Sequence, residues 1–201
     1  MKTIGITGQT GAGKSTVCEL LEERGYYHLD ADEVAHEVVE SDADVIAALC
    51  EAFGNDIIKK DGSLSRPKLA ARAFRNKQTA EKLDVICYPA VIKKIKRIIK
   101  QKAKQSFNGV LIDAIGLYES GADKLCDFTV FVTADREKRL ERIIARDGIT
   151  RAAAEKRIDA QKDDAYYKQK ADYTVKNNSL KTLEKKISEI LDNEQAKKEK
   201  K

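Results

Sequence analysis

Residues 8–15 read Gly8-Gln9-Thr10-Gly11-Ala12-Gly13-Lys14-Ser15, followed by Thr16. The run fits the spacing G-x-x-x-x-G-K-[ST], in which glycines let the backbone wrap until its N–H groups converge on phosphate oxygens. A helix opening there adds the partial positive charge of its N-terminus, Lys14 reaches β- and γ-phosphates, and the Ser15 hydroxyl suits Mg²⁺. Before the run, Lys2 to Thr7 (KTIGIT) alternates like a short strand. After it, Ser15 to Arg24 (STVCELLEER) sets Val17, Leu20 and Leu21 at helical spacing and is closed by Gly25. Strand, glycine loop and helix in that order form the context the pattern needs. An ordinary glycine turn would not require Lys followed by Ser.

Working outward, strands are expected at Tyr26 to Leu29, Val110 to Ile112, Phe128 to Thr133 and Tyr173 to Val175, with helical patterns between most of them. Such alternation predicts an α/β fold, a parallel sheet with helices on both faces. Arg136 to Arg146 places Leu140, Ile143 and Ile144 on one helical face, and Leu180 to Leu191 forms a second helix that Ser179 can cap. Roughly Ala31 to Asn108 exceeds what one crossover helix needs and reads as several helices, room for a substrate subdomain. The last nine residues, NEQAKKEKK, hold one apolar residue and are expected to fray.

At 201 residues the chain fits one domain of generous size, or one domain carrying a small insertion, and can bury roughly 70% of its unfolded surface. Hydrophobic residues at 42% argue against disorder, and no apolar run approaches the ~18 residues of a membrane span. Glycines interrupt any apolar stretch near the start, so the cytoplasm is the expected compartment. Cys18, Cys50, Cys87 and Cys126 lie more than 30 residues apart and read as reduced, buried small hydrophobes rather than ligands. The net charge of +5 is concentrated in residues 93–104, which hold seven basic and no acidic residues, so the remaining chain sums to −2. Val91, Ile95, Ile98 and Ile99 recur there at helical spacing: either a solvated basic face, or one that steers an anionic substrate. Aromatic residues at 6% and the absence of tryptophan argue against a nucleic-acid surface.

Residues 29–36, LDADEVAH, begin where the second strand should end, at the carboxyl edge where open α/β sheets bind ligands. Asp30 followed by Glu33 resembles a capping box, which leaves Asp32 in the first helical turn with no cap to make. A carboxylate near a γ-phosphate can orient an attacking hydroxyl and accept its proton; the alternative is an acid serving the helix dipole. His36, one turn later, either lines a substrate pocket or sits at the surface.

Taken in order, the GKST loop, DADEVAH with EVV (residues 30–39), DGSLSRPKLAARAF (61–74), LCDFTVFVTADREKRLERIIARDGIT (125–150), RIDAQ (157–161) and ADYTVKNNS (171–179) resemble the dephospho-CoA kinases over nearly the whole chain. Weak singly, these pieces are specific in sequence. The resemblance implies a P-loop three-layer α/β fold with a central parallel five-stranded sheet, a helical substrate subdomain and a small lid. The core would span about 1–30, 109–135 and 172–192, the helical insertion 31–108, the lid 136–170 and a charged tail 193–201, all in one kinase domain. It implies phosphorylation of the ribose 3′-hydroxyl of dephospho-coenzyme A with ATP and Mg²⁺, by a cytoplasmic monomer or weak homo-oligomer without nucleic-acid or membrane partners.

Carried over position by position, the resemblance points to Gly8, Gly11, Ala12, Gly13, Lys14, Ser15, Thr16, Arg146 and Asn177 for ATP, with Lys14, Asp32 and Arg142 catalytic. Arg142 and Arg146 would flank the transferring phosphate from the lid, as guanidinium forks suit spread transition-state charge. Asp32, His36, Tyr88 and Asp113 would meet the acceptor, and Ser15 with Asp113 the metal. Asp113 either serves Mg²⁺ through water or caps the following loop, and Asn177 and Asn178 either touch adenine or make a turn. Arg157 and Gln161, spaced four apart on one expected helix face, match a family feature without a derived role. Two segments depart from the family pattern: Tyr88-Pro89 where it often has His-Pro, and Ile115 to Glu119 where it often has Pro-Leu-Leu-Phe-Glu. Alternatives are another P-loop nucleoside-monophosphate or small-molecule kinase, and a GTPase-like switch. The switch is disfavoured because Lys176-Asn177-Asn178-Ser179 stands where an Asn-Lys-x-Asp run would be needed.

Overall fold

The computed structural model describes residues 1–199; Lys200 and Lys201, the end of the expected tail, lie outside the described residues. The chain divides into two compact units, residues 1–29 with 105–201, and residues 30–104.

The first unit is built on a five-stranded parallel sheet. Its strands are β1 (Lys2–Gly8), β2 (Tyr26–Asp30, whose last residue falls in the second unit), β3 (Gly109–Asp113), β4 (Phe128–Thr133) and β5 (Tyr173–Lys176), ordered β2-β3-β1-β4-β5. β1 pairs in parallel with both β3 and β4, with Ile4 opposite Leu111 and Phe128, and β4 pairs with β5. β-branched and aromatic residues form β1, β3 and β4 because both faces of these strands are buried: Ile4, Ile6, Leu111, Val130 and Val132 are almost inaccessible. On one face they pack with Val17, Cys18 and Leu21 of α1 (Lys14–Glu22) and Leu183, Ile187 and Ile190 of α9 (Leu180–Glu199). Elsewhere, Phe131 stacks on Tyr167 at 4.8 Å between ring centroids. The chain passes from the β2/β3 side of β1 to the β4/β5 side, so the carboxyl end of β1 stands at a topological switch point, where such sheets bind ligands.

α6 (Arg136–Asp147) and α7 (Arg151–Asp159) share a small core of Leu140, Ile143, Ala154 and Ile158, and α8 (Asp164–Lys170) follows, capped by Asp163. Three expectations are corrected in this unit. Gln161 does not continue a helix face from Arg157, because α7 ends at Asp159 and Gln161 lies in the turn beyond. The first helix runs from Lys14 to Glu22 rather than Ser15 to Arg24; Gly25 takes φ 81° and turns the chain into β2. The segment expected to fray from Asn193 is helical through Glu199, since Glu194 accepts hydrogen bonds from the Tyr173 hydroxyl and Lys197, both at 2.6 Å. Those contacts tie the helix end to β5.

The second unit is helical: α2 (Ala31–Ser41), α3 (Ala43–Phe53), a 3₁₀ turn (Asn55–Ile57), α4 (Arg66–Ala73) and α5 (Lys77–Lys102). Its starts are written in short polar residues. Asp30 accepts from the N–H of Asp32 and Glu33, Asp42 from Asp44 and Val45, and Asn76 forms a reciprocal capping box with Thr79. Val34, Val38, Leu49, Phe53, Leu69, Val91 and Ile95 are buried. Pro89 sits inside α5, where it cannot donate to Val85; Val85 is exposed, so water can satisfy that carbonyl. The basic stretch is the end of α5, two residues shorter than its charge run, with Lys93, Lys96, Arg97 and Lys100 exposed and Lys94 paired to Glu37 at 2.7 Å. All four cysteines are free; Cys18 and Cys87 are buried as expected, whereas Cys50 and Cys126 are half-buried. Among the described residues no helix is long and apolar enough to cross a membrane.

Candidate active site

The glycine loop leaves β1 at Gly8 and enters α1 at Lys14. Gly11 and Gly13 take φ 75° and 86°, and a Cβ on Gly13 would collide with the Asn177 amide, so this path admits glycine alone. Gly13 is also the N-cap of α1 and offers no side-chain cap, so the first-turn N–H groups keep their bonding capacity for a ligand.

Distant side chains hold the loop's outer surface. Arg142 donates to the Gly11 and Ala12 carbonyls, each at 3.2 Å, and to the Asn177 carbonyl at 3.0 Å. The buried Asn177 amide donates to Ala12 and Gly13 carbonyls at 3.2 and 3.3 Å. Arg139 reaches the Thr10 carbonyl at 3.0 Å and Gln9 Oε1 at 2.6 Å, while Gln161 Oε1 accepts from the Thr10 N–H at 2.8 Å. Burial lowers the pKa of Arg139, yet its strongly basic guanidinium keeps its charge in the physiological range. Two of these braces escaped sequence reading. The sequence pattern assigns Gln161 no role, and Arg139 is one of four arginines in α6 that pattern alone does not tell apart. Its signal was position: Arg139 stands one turn before Ile143 on the buried stripe.

Asp113 ends β3 opposite Ile6, at the carboxyl edge of the sheet. Its Oδ1 lies 3.6 Å from Lys14 Nζ, an ion pair that a phosphate group would compete for. Around the loop opens a cavity of about 880 Å³ lined by Gly11, Gly13, Lys14, Ser15, Thr16, Asp113, Arg142, Arg146 and Asn177. The structure thus gathers nine of the residues chosen from sequence around one volume. Gly8 and Ala12 are not among the lining residues, and Ala12 is fully buried beneath the loop. Arg146 holds Asp147 with two bonds of 2.7 and 3.0 Å, and Arg157 donates to the same carboxylate; the hydrogen bonds from Arg146 draw the Asp147 pKa below its usual range. Asp32, His36 and Tyr88 belong to the helical unit: Asp32 and His36 are exposed one turn apart on α2, and Tyr88 is half-buried on α5.

A sequence profile of the dephospho-CoA kinase family matches residues 2–182. Dephospho-CoA kinase of Corynebacterium glutamicum is 36% identical over 192 residues, covering 95% of this chain and 96% of that protein. The Fusobacterium nucleatum enzyme of the same name is 40% identical over 185 residues, covering 92% and 94%. Among solved structures, TT1252 from Thermus thermophilus superposes with a TM-score of 0.77 at 28% identity, covering 96% and 97% of the two chains. Shikimate kinase from Acinetobacter baumannii shares the fold, with a TM-score of 0.52 at 20% identity and coverage of 96% and 94%.

Proposed function

The chain belongs to the dephospho-CoA kinase family, and from that membership we infer that it completes coenzyme A synthesis, moving the γ-phosphoryl group of ATP to the ribose 3′-hydroxyl of dephospho-coenzyme A and releasing ADP. The observation that carries the reading to particular residues is the braced glycine loop with Lys14 held 3.6 Å from Asp113, both lining one cavity.

Each residue then has a task. First-turn N–H groups of α1 and the loop take the phosphates, and Lys14 exchanges Asp113 for β- and γ-oxygens as the nucleotide enters. Arg142 and Arg146, which line the cavity, spread the charge that builds on the transferring group. Asp32 accepts the proton of the 3′-hydroxyl as its oxygen bonds to the γ-phosphorus and the bond to the ADP oxygen breaks. His36 and Tyr88 shape the acceptor side, with Asp113 contacting substrate from the sheet. Asn177 contributes to ATP binding by fixing the loop that touches it.

The Ser15 hydroxyl and the Asp113 carboxylate, whose buried Oδ1 makes no hydrogen bond among the described residues, are oxygen donors that fit a hard cation such as Mg²⁺. Bound with ATP, Mg²⁺ would neutralise charge on the transferring phosphates. The reading extends to a cytoplasmic monomer or weak homo-oligomer acting on small molecules, without nucleic-acid or membrane partners. To test it, purified protein is incubated with Mg-ATP and, separately, dephospho-coenzyme A, AMP, CMP, dTMP and shikimate. ADP formation should follow dephospho-coenzyme A; turnover of another acceptor with none of dephospho-coenzyme A overturns the assignment.

A further inference from the structure

At Asp113, on its Oδ2 rather than the Oδ1 that faces Lys14, three side chains from separate elements meet. Cys18 of α1 points its Sγ at Asp113 Oδ2 from 3.7 Å, and His28 of β2 places Nε2 3.4 Å from the same oxygen. Ligands bound to one tetrahedral zinc-type ion at ordinary bond lengths stand about 3.6 Å apart for a sulfur–oxygen pair and about 3.4 Å for nitrogen–oxygen. The Cys18 and His28 ligand atoms lie within 4.8 Å of each other, so all three groups can face one ion-sized volume. The other histidine nitrogen, Nδ1, lies 3.7 Å from Glu22 Oε2. A carboxylate behind a histidine is the arrangement that fixes ring orientation and raises ligand basicity in metal sites.

From this geometry we propose that Cys18, His28 and Asp113 form a binding site for a thiophilic divalent cation of the zinc class, with Glu22 orienting His28. Sulfur, imidazole and carboxylate donors together favour such an ion over Mg²⁺. When it binds, the Cys18 S–H bond breaks, its proton leaves to solvent, and the thiolate bonds to the ion while the fourth position stays open to water or another ligand. Asp113 lines the nucleotide cavity with 14% of its side chain exposed, which gives the ion a route inward. The site would share a single carboxylate with Lys14: Oδ2 toward the ion and Oδ1 toward the ammonium.

The test uses the full chain without nucleotide, titrated with Co²⁺ as a spectroscopic probe and then Zn²⁺. One equivalent of Co²⁺ should produce a near-ultraviolet thiolate-to-cobalt band, Zn²⁺ should abolish it one-for-one, and millimolar Mg²⁺ should leave it intact. Cys18→Ala should remove the band, His28→Gln should weaken Co²⁺ binding at least ~10-fold, and Glu22→Gln, at a surface position, should weaken it by ~10-fold. No band, a band retained in Cys18→Ala, or displacement by Mg²⁺ overturns the site. Should Cys18→Ala fail to fold, the histidine and glutamate variants decide: unchanged Co²⁺ affinity in both overturns it.

Discussion

The glycine loop and the helical unit differ in how their sequence carries function. In the loop, eight consecutive residues specify the chemistry, yet their shape depends on side chains from α6, the turn after α7 and the end of β5. In residues 30–104 the helix starts are encoded locally by Asp30, Asp42 and Asn76, while the roles proposed for Asp32, His36 and Tyr88 rest on the position of Asp32 in the first turn of α2 and on the family resemblance. A motif that wraps its own backbone around a ligand is legible from one segment. The acceptor surface proposed for the helical unit would draw single residues from α2 and α5, and no contiguous motif of this chain announces it.

Substitutions can break that contrast at different depths. Removing the lysine, Lys14→Ala, should cost on the order of 10³-fold in turnover, as loss of a charge that stabilises the transition state does; steady-state phosphoryl transfer measures it. A drop below tenfold would mean the loop works without its ammonium. Gln161→Ala removes an acceptor from Thr10, worth about 1 kcal/mol, and should raise the ATP dissociation constant about fivefold while leaving turnover at saturation nearly unchanged; calorimetry of ATP binding reads it. Asn76→Ala strips the capping box of α5 and should lower stability by about 1 kcal/mol in denaturant titration, with ATP affinity untouched. A change in ATP affinity there would contradict the division between the two regions.

The strands β1, β3 and β4 were legible because buried parallel strands demand β-branched and aromatic runs, and the half-exposed β2 and β5 because short aromatic and β-branched runs mark them. What escaped notice was long-range. Composition suggested that NEQAKKEKK frays, but Tyr173, on β5, fixes Glu194 and extends α9. Arg139 is a charged residue serving as a buried brace, and its partners Gln9 and Thr10 are about 130 positions away. Cys18, His28 and Asp113 were read apart, because spacing along the chain says nothing of ligands brought together by a sheet. Asp30 was legible as a cap, and the structure gives it that task.

The division of labour is tested most directly by measuring ATP affinity and turnover together in Asp32→Asn. The account predicts an unchanged ATP dissociation constant and a turnover with dephospho-coenzyme A lowered by about 10²- to 10⁴-fold, the loss expected when a general base is removed. Turnover equal to that of the unmodified chain would contradict it and return Asp32 to service of the helix dipole.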